Sequence, residues 1–243
     1  MWRIKHGNQN GTKSNGKAVL LQHALICSGH NFLSNTEDKA LAFVLANQGF
    51  DVWIGNNRGN FFSRKHATLD PDKDASFWDF SFEEMGLSDL SAEVEYIRIS
   101  TGVRKIGYVG HSEGTIQMFF SLALQESYWQ ERIYAFAALA PVARTGHLGS
   151  GILQLAAKAH LGTLLRDLGV TEFAARDWLT SDALGLLCSS IPLVCEIGLR
   201  LGSDTNPSED DLERAAVALA YTPAGTSAKN MEHWEQLTTS GQF

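Results

Sequence analysis

No apolar run in the 243-residue chain is long enough to span a bilayer, so no transmembrane segment is expected. Nor is there a basic tract. The 20 Lys and Arg are outnumbered by 27 Asp and Glu, for a net charge of -7, so nucleic acid is not an expected partner. Cysteine is scarce, with three residues, and none has the spacing of a metal-ligand set. No metal and no cofactor are therefore expected. The glycine-bearing stretch Gly55-Asn56-Asn57-Arg58-Gly59-Asn60 lacks Gly-Lys-Ser/Thr and Gly-x-Gly-x-x-Gly, so it reads as a structural turn rather than a phosphate cradle. The N-terminus, Met-Trp-Arg-Ile-Lys-His-Gly-Asn, lacks the apolar core of a signal peptide. The single sequon, Asn10-Gly11-Thr12, carries meaning only for a chain that enters the secretory pathway.

What is present is an ordinary globular composition, 44% hydrophobic and 19% charged, and a length that suits one α/β domain or a core with a cap. Residues 1 to 17 are polar and read as a frayed start or loop. Ala18 to Leu21 is a short apolar strand, Asp38 to Gln48 a helix stopped by Gly49, and Phe50 to Ile54 a second strand. Phe61 to His66 reads as a solvated loop. The aromatic stretch Phe77 to Phe82 is expected to pack, with Ser81 placed to cap a helix from about Phe82 to Ser100, ended by Gly102. Strands follow at Ile106 to Val109 and Ile133 to Leu139, with a helix over Thr115 to Ala123 between them. This alternation predicts a doubly wound, mostly parallel sheet.

The residues that carry chemistry lie between that third strand and its helix. Gly110-His111-Ser112-Glu113-Gly114 fits Gly-x-Ser-x-Gly in the strand-turn-helix context such a motif needs. The turn strains the serine backbone and exposes its hydroxyl, and side chains at the flanking glycines would collide with strand or helix. Ser112 is the candidate nucleophile. The helix after it aims N–H groups at any oxyanion formed there. The loop after the first strand, Gln22-His23-Ala24-Leu25, offers the Leu25 N–H as a second donor. His23 reads as a structural hydrogen-bonder rather than a base.

From about Thr145 the texture turns helical and apolar, with candidates over Ile152 to Leu168, Leu184 to Leu201, Asp210 to Ala220 and Ala228 to Leu237, and a turn over Tyr221 to Ser227. This sets the expected organisation as residues 1–143, the N-terminal part of an α/β core, and residues 144–243, a helical cap. Cys27 reads as a buried apolar residue. Cys188 and Cys195 could close a small loop or remain two buried thiols.

Several stretches together resemble the acid lipase family of the α/β-hydrolase fold. They are Leu21 to Leu25, Gly49 to Asn60, Ser63 to His66, Phe77 to Met85, Val109 to Thr115, Ala138 to Ala143, and Thr222 to Ser227 with Asn230-Met231 and His233-Trp234. The resemblance implies a serine ester hydrolase acting on lipid esters such as triacylglycerols and sterol esters, at a droplet or micelle interface. It implies an acyl-enzyme on Ser112, an oxyanion hole from the backbone N–H groups of Leu25 and Glu113, and a secreted or lysosomal location. It also places Cys188 and Cys195 where the family has a cap disulfide.

Three departures from the family pattern stand out. Ala24 replaces glycine, and its methyl group would disturb the Leu25 N–H if that position needed positive φ. Glu113 replaces glutamine and sets a carboxylate near a developing negative charge. The aspartate and histidine of the triad, which in this fold follow the serine, have no match. The aspartates at 167, 177, 182, 204, 210 and 211 fall in the cap region, and His147, His160 and His233 occupy no base position. The expectation is a sheet incomplete at both ends. The rival readings are a lipid-binding protein without catalysis and an esterase that takes its histidine from a partner chain.

Overall fold

The computed structural model describes residues 1–6, 12–145, 151–175, 186–187, 190–191 and 211–241. Cys188, Cys195, His147, Asn10, the aspartates at 177, 182, 204 and 210, and most of the helix expected over Leu184 to Leu201 lie outside them. The chain divides into two compact units, Met1–Arg58 with Phe82–Ala143, and Gly59–Ser81 with Arg144–Phe243. The segment 59–81 thus packs with residues far along the chain rather than with those that flank it.

The first unit is built on five strands, β1 (Trp2–Ile4), β2 (Ala18–Gln22), β3 (Asp51–Ile54), β4 (Ile106–His111) and β5 (Ile133–Leu139), in the order β1-β3-β2-β4-β5. β2 pairs in parallel with both β3 and β4, and β4 with β5; β1 runs antiparallel to β3. The β1 strand corrects the reading of residues 1 to 17 as wholly irregular. Three residues carry too little periodicity to announce a strand, but Arg3 pairs with Asp51 (Nε to Oδ1 2.9 Å) and lies over the Trp53 ring, which fixes it to β3.

β2 shows why the sheet is covered on both faces. Ala18 and Leu20 point into one apolar cluster with Trp53, Leu90, Val94, Ile97, Ile106, Tyr108, Met118 and Trp129. Val19 and Leu21 point into another with Phe32, Ala42, Ala46, Val52 and Ile54. A strand buried on both sides reads as a continuous apolar run, as Ala-Val-Leu-Leu does. The covering helices are α1 (Leu41–Asn47), α2 (Phe82–Glu84), α3 (Leu90–Thr101), α4 (Glu113–Leu124) and α5 (Glu126–Gln130). Gly102 ends α3 with φ 73°, as a left-handed C-cap should. Between α2 and α3 the chain widens into a π turn over Met85–Asp89. There a Cβ at Gly86 would stand 2.8 Å from Gln117 O, so the absence of a side chain lets this turn lie directly on α4.

The second unit holds α6 (Gly151–Lys158), α7 (Leu161–Asp167), α8 (Leu212–Leu219) and α9 (Ala228–Ser240), with a small antiparallel pair, β6 (Glu172–Phe173) and β7 (Thr226–Ser227). It is therefore not wholly helical, and the stretch expected as a turn over Tyr221 to Ser227 ends in β7. The helix expected over Ile152 to Leu168 is two helices. His160 stands at φ 50° between them, and Glu235 of α9 accepts from the N–H groups of Gly162 and Thr163 at the start of α7. A Cβ at Gly162 would meet Glu232 N at 2.6 Å, so α7 can approach α9 only with glycine there. Arg64, expected to be solvated, ion-pairs with Asp72 at 2.6 Å and with Glu172, and lies over the Trp78 ring. Asp211 caps α8 and Ser227 caps α9. Among the described residues no helix is long and apolar enough to cross a membrane.

Candidate active site

β2 sends its chain to β3 on one side, and β4 sends its chain to β5 on the other. The sheet's switch point therefore lies between β2 and β4, and ligands in open α/β sheets sit beyond the carboxyl ends of the strands at such a point. Gln22 ends β2 opposite Gly110, and His111 ends β4 opposite Leu139. The loop with Leu25 and the turn with Ser112 thus leave the sheet side by side.

Ser112 stands between β4 and α4 at φ 50°, ψ -108°, a conformation costly for any residue with a side chain. The surroundings hold it there. Its N–H donates to Leu139 O at 2.9 Å, and its carbonyl accepts from Thr115 N at 2.8 Å and Thr115 Oγ1 at 2.6 Å. Thr115 Oγ1 in turn accepts from Val142 N at 2.8 Å, and the buried Tyr108 hydroxyl donates to Gly114 O at 2.7 Å. The two glycines are sterically required. A Cβ at Gly110 would lie 2.5 Å from Gly114 O, and one at Gly114 would lie 2.5 Å from Gln22 O. Ser112 itself is half-buried, at the N-cap of a twelve-residue helix.

The loop after β2 is fixed by His23. This histidine is 2% exposed, with Nδ1 2.8 Å from Ala24 O and Nε2 accepting from Asn57 N at 3.0 Å. One nitrogen must donate and the other accept, so the ring is the neutral Nδ1–H tautomer. Burial, with nearby His111, pushes its pKa down to about 4. Both ring nitrogens face backbone groups, which makes His23 structural, as its sequence context indicated. Ala24 is not one of the left-handed residues; Ile26, at φ 52°, makes the turn instead. The methyl group at Ala24 therefore imposes no left-handed strain before Leu25. Burial also lowers the pKa of His111.

Beneath the turn lies a polar cluster that sequence reasoning passed over. Gln22 Nε2 donates to Asn57 Oδ1, and Asn57 Nδ2 donates to Glu113 Oε2 at 3.4 Å. Gln22, Asn57 and Glu113 are each no more than 3% exposed. Glu93 on α3 is half-buried, with its Oε2 shielded from solvent, and desolvation with neighbouring Asp89 raises its pKa to about 8. Arg58 and Asp89 form an ion pair alongside (Nε to Oδ1 2.9 Å). A polar residue closing an apolar strand, as Gln22 does, was the one signal the sequence offered.

In the second unit His160 is engaged by Glu235 at 2.8 Å, and His233 Nδ1 lies 3.0 Å from Ser81 Oγ. Among the described residues no group of His, Cys, Asp and Glu could hold a metal ion.

Residues 17–242 match the family model for the α/β hydrolase fold. The chain is 38% identical over 250 residues to gastric triacylglycerol lipase of Rattus norvegicus, covering 100% of this chain and 62% of that protein. It is 36% identical over 247 residues to lipase lipl-1 of Caenorhabditis elegans, covering 98% and 60%. The chain thus spans about three-fifths of the length of these curated relatives. A crystal structure of a proposed lipase from Sulfolobus solfataricus superposes with a TM-score of 0.58 at 14% identity, covering 90% of this chain and 70% of that one, a likeness of fold. With this sheet order and this match along nearly its whole length, the chain belongs to the α/β-hydrolase fold family, in its acid-lipase-like group.

Proposed function

We propose that the protein is a serine ester hydrolase of lipid esters, triacylglycerols or sterol esters among them, and that Ser112 is its nucleophile. The observation that carries this reading is the strained Ser112 backbone at the carboxyl end of β4, braced by Leu139, Thr115 and Val142. Strain of this kind at a strand-to-helix turn lifts the serine hydroxyl clear of the sheet. Ser112 Oγ attacks the ester carbonyl, the alcohol leaves, and water releases the acyl group from the serine ester. The backbone N–H groups of Leu25 and Glu113 receive the oxyanion, each worth ~3 kcal/mol of barrier. The base is a histidine held by a carboxylate, and this reading assigns neither to a described residue. His23, His160 and His233 are engaged elsewhere.

In this reading residues 144–243 are the cap region and residues 1–143 the N-terminal part of the catalytic core. The names of the relatives, a triacylglycerol lipase among them, support a lipid ester as substrate; action at a droplet or micelle surface and a secreted or lysosomal setting belong to this proposal. The test is hydrolysis of emulsified triacylglycerol, sterol ester and a soluble short-chain ester by the native protein isolated from its source. Turnover should fall by about 10⁴-fold or more in Ser112→Ala. Binding of lipid without turnover would favour a non-catalytic lipid-binding protein instead.

A further inference from the structure

The buried cluster beneath Ser112 contains two acceptors with nothing to accept. Gln22 Oε1 and Glu93 Oε2 are both buried, and neither has a hydrogen-bond partner. The Gln22 amide and the Glu93 carboxyl, the latter by its other oxygen, also approach the same glycine. A Cβ placed on Gly55 would lie 1.9 Å from Gln22 Oε1 and 3.1 Å from Glu93 Oε1. Two unpartnered buried oxygens on neighbouring side chains are a costly arrangement, and a proton on Glu93 donated to Gln22 satisfies both.

The rest of the cluster already has a direction. Gln22 uses its amide nitrogen on Asn57 Oδ1, which leaves its oxygen to accept. Asn57 in turn uses its amide nitrogen on Glu113 Oε2, while its own backbone N–H is taken by His23. Every amide donates away from Glu93 and toward Glu113. The series is complete only if its first member donates as well.

We propose that Glu93 is a neutral carboxylic acid that donates to Gln22 Oε1, and that it heads a one-way relay, Glu93 to Gln22 to Asn57 to Glu113, which tethers the Glu113 carboxylate toward Asn57 and so steadies the backbone at Ser112 and Glu113. Glu93 is thereby a positioning residue; it touches no reacting atom. The link to Ser112 rests on the reading of that serine as nucleophile. The relay also accounts for a carboxylate at position 113, because Asn57 gives that charge a fixed partner. The groups around Glu93 agree with a neutral acid. Asp89, one turn earlier on its own side, and burial both favour the protonated form, and the neighbouring Tyr108 phenol is itself held neutral. The Asn56 N–H and the chain's N-terminal ammonium oppose them more weakly.

Infrared spectroscopy with a pH titration tests the relay. The protein at pH 7 should show the carbonyl stretch of a buried protonated carboxylic acid, lost as the pH passes about 8 and absent in Glu93→Gln. Absence of this band at pH 7, or its persistence in Glu93→Gln, overturns the proposal. The titration of the unsubstituted protein decides the matter even if the variant does not fold. The second readout is the rate at which a phosphonate ester modifies Ser112 in the native protein. That rate should fall about tenfold for each pH unit above the Glu93 pKa, and Glu93→Gln should abolish the fall. The same fall in both proteins overturns the link to Ser112. Failure of the phosphonate to modify Ser112 at any pH defeats the nucleophile reading, while the infrared band still decides the relay.

Discussion

The Asn57 N–H donates to His23 Nε2 across 3.0 Å, and this bond ties the loop after β3 to the loop after β2. It exists only while His23 is neutral, because a protonated imidazole has no lone pair to accept with. The loop that carries Leu25 therefore depends on the protonation state of a histidine whose ring nitrogens both face backbone groups.

A dependence of stability on pH follows. The folded-state pKa of His23, about 4, lies below its ordinary 6.5. Its contribution is complete above pH 6.5 and is lost as the pH falls through 4, by about 3 kcal/mol at the acid end. Urea unfolding at pH 7 and pH 4.5 should show this loss in the parent, and a smaller one in His23→Gln. Equal losses in both proteins would remove His23 as the cause.

Glu93 acts in the opposite direction. Its folded-state pKa is raised from 4.5 to about 8. Stability from this site is complete below pH 4.5 and drains away as the pH rises through 8, on the order of 4 kcal/mol by pH 8.5. Glu93→Gln, neutral at every pH, should be the more stable protein at pH 8.5, and the two should converge near pH 4.5. A variant less stable than the parent at pH 8.5 would contradict this account of the buried carboxyl.

Glu113→Gln keeps an oxygen for Asn57 Nδ2 and removes a negative charge beside the proposed oxyanion site. Acylation of Ser112 at pH 7 should then rise several-fold, equivalent to about 1 kcal/mol of barrier. A rate and pH profile unchanged from the parent would show that the carboxylate does not oppose the oxyanion.

The elbow glycines should tolerate no side chain. Gly114→Ala places a methyl group 2.5 Å from Gln22 O, a backbone atom of the central strand that cannot swing aside. A loss of about 2 kcal/mol or more is expected on thermal unfolding. A neutral result would mean that α4 shifts freely against β2.

In the second unit, Glu235 accepts from His160 Nδ1, Gly162 N, Thr163 N and Thr163 Oγ1. Desolvation opposes its charge, but these four donors outweigh it and hold the carboxyl below its ordinary pKa. Its contribution is present above pH 4.5 and lost as the pH falls below it. Glu235→Ala strands those donors, and amide exchange in α7 should accelerate about tenfold or more. Unchanged protection would show that α7 holds without it.

Much of this arrangement was legible in the residues themselves. Gly110 to Gly114 announced a strained turn because glycine is placed where two backbones meet, and the structure shows both approaches. The runs Ala18 to Leu21 and Ile133 to Leu139 gave their strands because their apolar character is continuous. Other features hid for physical reasons. β1 is three residues long, too short for any period to show. The break at His160 is imposed by Glu235, 75 residues away, and leaves no local mark. The polar cluster of Gln22, Asn57, Glu93 and Glu113 draws on four distant positions, and a half-buried glutamate on a helix looks in sequence like any solvated one. Cys188 and Cys195, read as either a closed loop or two thiols, fall outside the described residues.

The central claim is that Ser112 forms the acyl-enzyme. Its most direct test is modification of the native protein by a lipid-like phosphonate ester, followed by mass spectrometry of the proteolytic fragments. The account predicts one equivalent of phosphonate on the peptide that contains Ser112, with ester hydrolysis lost in proportion. Phosphonate on a different residue, or hydrolysis that persists with Ser112 fully modified, would contradict it.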